Sequence, residues 1–428
     1  MSLLTSLYTG STGMQASSLD LSVIGDNIAN ANTVGFKGGR AAFEDALSQS
    51  LIGGAGQVGL GVGVASVRSI LTQGSLTNTG VPTDLALQGN GMFVVKGSAQ
   101  GQAGTYYTRD GQFATDKDGY LVNQNGLRVQ GYTASTAGVV GGGLGDLRIG
   151  SASAPPRVTT AITVRGNLQA DAALKGAWDP ANADATSNFS TSSQVFDSLG
   201  VSHQVNTYFR RTGAGAWEYH SMTDGAGVAG GTAGTPSEVA AGTLTYDTAG
   251  KLTAQTQTGS FQPAGATTPQ ALALNFGDPT GVAGGTGLAG LTQFAGTSAS
   301  SFIGQDGAAA GDLNSVHVDT DGKITGSFSN GESRVIGAVA VATFAAPDEL
   351  GRMGGNLYAR APGAGEPSVG IAGTGGRGSI SSGALEQSNV DLGTEFVKMI
   401  SAQRQFQANS KTIMTADSLL AELIQIKR

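Results

Sequence analysis

A heptad repeat runs down the last part of the chain. Leu385, Leu392, Met399, Phe406, Ile413 and Leu420 stand seven residues apart, with Phe396, Ala402, Ala416 and Leu423 on the neighbouring row. Such a repeat makes one narrow seam that requires another helix. A helix lying on its own globular body would instead carry a wider apolar stripe. No proline or glycine follows Gly393, and glutamate, glutamine, lysine and alanine fill the outer positions. One long helix is therefore expected from about Asp391 to Lys427. Near the chain start Leu7, Met14, Leu21 and Ile28 recur at the same interval, flanked by Leu3 and Ile24. Gly10, Gly13 and Gly25 interrupt this stripe; each costs a helix interior about 1 kcal/mol relative to alanine, so the segment is a weak helix by itself. The two stripes are natural partners. Pairing them turns everything between into an insertion in one helical hairpin.

The middle of the chain is built differently. The whole chain, at 428 residues, predicts roughly two to four domains. The 69 glycines are about twice the usual share of ~7%, and charged residues, at 13%, are about half of theirs. Between Tyr106 and Tyr132 the pairs Asp110-Gly111, Asp118-Gly119 and Asn125-Gly126 separate short β-prone runs, the signature of an antiparallel meander. A second hairpin is expected over Ser327 to Phe344, turning at Asn330-Gly331. From Ser151 to Asp312 the chain thins into glycine, alanine and threonine, with strands at Gln194 to Asp197, His203 to Arg210, Trp217 to Ser221 and Ala271 to Phe276. The expected fold is a mixed, discontinuous, multidomain chain with terminal α-helices pairing as a coiled coil and antiparallel β-domains of meander, sandwich or barrel type inserted between them. Its expected parts are a helical layer (1–35 and 385–428), an extended glycine-rich connecting segment (36–75), an inner β-domain (76–150 and 313–384) and an outer one (151–312).

Signs of catalysis are weak. G-x-G-x-x-G occurs at Gly54 to Gly59, Gly225 to Gly230, Gly285 to Gly290 and Gly373 to Gly378, but chance supplies about two matches at this glycine content, and none sits between a strand and a helix. Gly250-Lys251 and Gly322-Lys323 lack the serine or threonine of a phosphate loop. The pairs Asp116/Asp118 and Asp319/Asp321 read as hairpin turns rather than calcium ligands, since the twelfth position from Asp319 is Asn330 and not a bidentate glutamate. His203, His220 and His317 are scattered, and neither HExxH nor G-x-S-x-G is present. Tyr208, Phe209, Trp217 and Tyr219 read as sandwich core rather than a sugar platform. No catalytic, cofactor or metal residue is assigned. The net charge of -7 is spread along the chain, against nucleic-acid binding. Without cysteine there is no disulfide framework. The longest apolar run, Val335 to Ala346, is too short to span a bilayer. The first basic residue is Lys37, so a cleaved secretory signal is not expected.

The run Asn27-Ile28-Ala29-Asn30-Ala31-Asn32-Thr33-Val34-Gly35-Phe36-Lys37 resembles the signature of the bacterial flagellar axial proteins, the rod and hook family. Ser388 to Leu392, Ala402 to Arg404 and Gln407 to Lys411 resemble that family's closing helix, and Thr83 to Phe93 is similar to its shared β-domain. The hook branch fits better than the rod branch, because of Val195 to Gly200, Gly326 to Arg334 and the large outer insertion. The resemblance implies an extracellular structural subunit of the flagellum that polymerises helically with itself into a curved tube passing torque from motor to filament. Its implied partners are the distal rod, the hook–filament junction, the hook cap and the flagellar type III export apparatus. A straight distal rod subunit is the nearest alternative, and a secreted β-rich adhesin or binding module a more remote one. On this reading the heptad residues form the assembly seam. Asn27, Ala29, Asn30, Asn32, Thr33, Gly35, Phe36 and Lys37 are the family signature, and Gly53, Gly54, Gly56, Gly59, Gly61 and Gly63 let the connecting segment adjust between layers.

Overall fold

The computed structural model describes residues 3–46, 49–50, 57–135, 138, 140–150, 152–266 and 269–426. It divides into two compact units. One comprises Met1–Ala152, Ser315–Ser327 and Ser333–Arg428; the other comprises Ser153–Asn314 and Phe328–Glu332.

The first unit carries both terminal helices, Leu3–Ala29 and Leu392–Ile426. The N-terminal helix runs unbroken through Gly10, Gly13 and Gly25. The C-terminal helix begins where Asp391 caps it, its carboxylate accepting the Thr394 N–H at 2.7 Å, which satisfies a donor that the first turn would leave unpaired. Leu385, expected on the helical repeat, therefore lies outside it. It sits in the strand Ala384–Glu386, paired with Thr77, and is buried there. The seven-residue interval places it on the stripe, but the helix starts only at the cap.

The described part of the segment expected to be an extended connector carries a pair of long strands. Gly39–Asp45 pairs antiparallel with Val62–Ser69, with a bulge between Ala42 and Phe43. Gly59 precedes the second strand, and Gly61 and Gly63 are built into the hairpin. Gly61 has φ +105 and lies so close to the N-terminal helix that a Cβ would strike the Thr12 side chain, which only glycine permits. Gly53, Gly54 and Gly56 lie outside the described residues.

The body of this unit is an antiparallel sheet around Met92–Ala99, whose neighbours are Gln102–Thr108, Arg128–Ala134 and Ser333–Thr343. Met92 to Val95 are all buried, as expected of a strand covered on both faces. Phe93 and Val95 join a core with Leu87, Phe113 and Val341. Met92 and Val94 join another with Tyr107, Ala340 and Tyr358. The turns at Asp118-Gly119 and Asn125-Gly126 have positive φ at glycine, and Asp116 and Asp319 accept backbone N–H groups of their own turns. Asp110-Gly111 is different. Among the described residues it joins no hairpin, since Phe113–Thr115 pairs with Leu121–Asn123 and not with the strand before it, and a Cβ on Gly111 would lie 1.6 Å from the Leu85 carbonyl oxygen. This glycine serves close backbone approach.

The second unit has a five-stranded antiparallel meander of Phe189–Phe196, Ser202–Gly213, Ala216–Asp224, Pro236–Tyr246 and Leu252–Gln255. A smaller sheet centres on Ala161–Asn167. Their common core contains Val164, Phe209, Trp217, Tyr219, Leu244 and Phe276.

Candidate assembly interface

The terminal helices pair antiparallel, with Gly10 beside Asn409 and Ile413, and Asn27 hydrogen-bonded to Glu395. The row that makes this contact is small or polar except at Ile24. On the C-terminal helix Glu395, Ala402 and Ala416 are buried, with Asn409 completing the seven-residue interval. Gly10, Ser17 and Ile24 mark a matching row on the N-terminal helix. A Cβ at Gly10 would lie 2.8 Å from Ile413 Cγ1, and one at Gly13 would lie 2.6 Å from Asn409 Nδ2. These glycines let the axes approach where larger residues would force them apart. Farther along, burial raises the Asp20 carboxyl above its usual value, Lys398 opposing the shift and Glu395 adding to it.

The large apolar residues fall to the flank of this contact. Leu7, Met14, Leu21 and Ile28 are half-buried, as are Met399, Ile413 and Leu420. Of these, Ile413 packs on Gly10. Leu392, Phe396 and Phe406 are exposed, and so are Ile400 and Met414 beside them. The side chain of Leu423 lies outside the described residues. The expected pairing is thus refined: the flanking rows with Ile24, Ala402 and Ala416 make the intrachain contact, Ile413 joins it at Gly10, and Leu392, Phe396 and Phe406 of the C-terminal stripe stay exposed. Phe396 is 50% exposed and Ile400 51%.

Where both helices meet the sheet, three chain segments converge on one buried carboxylate. Glu386 accepts from Lys37 Nζ at 2.6 Å, from Arg109 Nη1 at 3.1 Å and from the Gly74 N–H at 2.9 Å. Lys37 and Glu386 have no exposed side-chain surface. The surplus positive charge is shared with backbone carbonyls: Lys37 donates to Thr72 O, and Arg109 to Leu87 O and Gly89 O. Burial pushes the Lys37 ammonium down, against the upward pull of Glu386.

The signature residues build this junction. Asn27 brackets Gly39, accepting its N–H at 2.7 Å and donating to its carbonyl at 2.9 Å. Thr33 donates to Asn30 Oδ1 at 3.1 Å. Gly35, at φ +69, donates to Glu386 O, and a Cβ there would meet the Asp110 backbone. Phe36 is buried with the Arg352 guanidinium over its ring. Ala29 and Asn32 lie outside this hydrogen-bonded core, at the helix end and in the following turn. Glu386 and Arg109 are absent from the sequence-derived set. A single acid at the end of the otherwise apolar run Ala384-Leu385 is the one local sign of the first.

Paired chain ends, a β-body threaded between them and an apolar stripe that the chain does not itself cover define a subunit of an axial polymer. Residues 7–37 match the family described as flagella basal body rod protein, and residues 86–171 the flagellar hook protein FlgE/F/G D1 domain. Residues 167–308 match the flagellar basal body protein FlaE D2 domain, and residues 381–426 the flagellar basal body rod FlgEFG protein C-terminal family. The chain is 34% identical over 482 residues to flagellar hook protein FlgE of Treponema pallidum (strain Nichols), covering 100% of both. It is 34% identical over 423 residues to flagellar hook protein FlgE of Escherichia coli (strain K12), covering 97% of this chain and 98% of that one. The crystal structure of Helicobacter pylori flagellar hook protein FlgE2 aligns with a TM-score of 0.48 at 15% identity, over 71% of this chain and 98% of that one. The chain belongs to the flagellar hook protein family. It is a structural subunit of the flagellar hook, self-assembling within the flagellum.

Proposed function

We propose that the subunits polymerise into a flexible, curved tube that transmits torque from rod to filament, and that the exposed stripe of the C-terminal helix is the seam between neighbours. The observation that carries this is the uncovered row Leu392, Phe396, Ile400 and Met414 beside a helix contact already complete within the subunit. A heterologous contact that does not close generates a helical polymer. The half-buried Leu7, Met14, Leu21 and Ile28 lie at the margins of the helix pair, where a neighbour can finish covering them. The assembly seam then also includes Met399, Phe406, Ile413, Leu420 and Leu423. By resemblance, the terminal helices form the inner tube and the β-domains lie outside it. The hairpin of Gly39–Asp45 and Val62–Ser69 is the adjustable element between layers, with Gly59, Gly61 and Gly63 beside or within it and Phe43 and Val64 paired across it, both exposed.

Bending during rotation requires contacts that lengthen and shorten on each turn. Small glycine- and alanine-rich surfaces slide at lower cost than interdigitated large side chains. By resemblance, the partners at the ends of the tube are the distal rod, the junction to the filament and the hook cap. By resemblance too, delivery is through the flagellar type III export apparatus. Electron microscopy tests this reading: purified protein should assemble into curved tubes, and cells lacking the gene should carry basal bodies that end at the rod. Straight rods, or a protein that stays monomeric, would refute it.

A further inference from the structure

We propose that Glu386 is a latch that couples the two chain ends, so that the segment after the N-terminal helix and the segment before the C-terminal helix dock on the β-body only together. The inference goes beyond the tube reading and does not depend on which face forms the seam.

The argument rests on what each segment leaves behind. If residues 33–38 leave, the Glu386 carboxylate keeps Arg109 and the Gly74 N–H but loses Lys37, its shorter ion pair, and its carbonyl loses the Gly35 N–H that it accepts at 2.7 Å. If residues 384–390 leave, Lys37 and Arg109 become two buried cations without their carboxylate. Removing one partner of a buried ion pair strands a charge, whereas removing an apolar contact only weakens packing. A second polar crossing reinforces the first. Asn389 accepts the Gly38 N–H at 2.8 Å and donates to Ile70 O at 2.7 Å, joining chain start, hairpin return and chain end. Asn27 repeats the pattern by holding Gly39 and Glu395 at once. Neither end thus has a complete set of partners in the absence of the other, and a half-docked subunit offering a single stray helix to the seam is disfavoured.

Hydrogen exchange of the full chain, both as monomer and as polymer, tests this with Lys37→Met, Glu386→Gln and the double variant. Each single variant should raise exchange at residues 3–29 and at residues 392–422 together, by roughly a hundredfold or more where those residues are protected in the wild type. The double variant should open the ends no further than Glu386→Gln alone, because what Lys37 contributes to the latch runs through that carboxylate. Peptides covering Met92–Ala99 report that the body stays folded in every variant. The proposal is overturned if Lys37→Met opens only the N-terminal helix and Glu386→Gln only the C-terminal one, with the double variant adding the two losses. Loss of protection in the body as well would overturn it too, since the pair would then support the sheet rather than couple the ends.

Discussion

Phe396→Ala separates assembly from folding. The side chain is 50% exposed on the C-terminal helix, and a phenylalanine buries on the order of 200 Å² when covered completely. About 100 Å² is therefore left for a neighbour, which at ~25 cal/mol per Å² amounts to about 2.5 kcal/mol per subunit contact. Truncation to alanine forfeits most of this, so the critical concentration for polymerisation should rise by roughly thirtyfold, at about 1.4 kcal/mol per tenfold. The monomer should be affected by no more than ~0.5 kcal/mol, the usual range for a surface substitution. Sedimentation of polymer at graded protein concentrations reads the first quantity, and thermal unfolding of the monomer the second. An unchanged critical concentration would refute the seam, and an unfolded monomer would show that Phe396 belongs to the subunit's own packing.

Other substitutions probe the remaining contacts. Leu392→Asp or Met399→Asp places a charge on the apolar row and should abolish polymerisation with both β-units still folded by circular dichroism. Gly10→Ala raises helix propensity by ~1 kcal/mol yet should weaken the helix pair by about 1–3 kcal/mol, because its Cβ meets Ile413 at 2.8 Å; a more stable terminal layer would show that this glycine is only a weak point. Asp20 has a raised pKa in the folded seam, so the folded form binds a proton more readily than the unfolded one. Helix pairing should strengthen as pH falls through that raised value towards 3.8 and level off below it, and Asp20→Asn should remove the dependence from helicity measured against pH. Trp217→Ala should cost ~3–5 kcal/mol in the second unit, giving an early calorimetric transition while the unit containing Phe93 retains its own.

Much of the architecture could be read from spacing. The C-terminal repeat located a helix, and the alternation around Asn125-Gly126 located turns, because both signals are local and periodic. What escaped was non-local or small. In the row that joins the helices, Ile24, Ala402 and Ala416 stood beside the apolar stripes in the sequence, but Gly10, Ser17, Glu395 and Asn409 are residues that an apolar pattern passes over. Large side chains mark where surface remains to be covered, while small ones mark where two helices already touch. The hairpin of Val62–Ser69 was hidden by the glycines within and beside it, which read as flexibility when the backbone in fact needs close approach to Thr12. Gly111 misled for the same reason. The pairing of Lys37 with Glu386 spans 349 positions, and a single charge carries no periodicity. Only the fold shows that two lone charges meet.

The central claim is that the subunit completes one helix contact internally and leaves the Leu392, Phe396 and Ile400 row for a second copy. A density map of the assembled polymer, at a resolution that shows side chains, tests it most directly. The account predicts atoms of a neighbouring subunit packed against Phe396 and Ile400, with Gly10 and Gly13 still against Asn409 of the same chain. A polymer in which Phe396 and Ile400 face water, or in which the Gly10 contact is made by another subunit's helix, would contradict it.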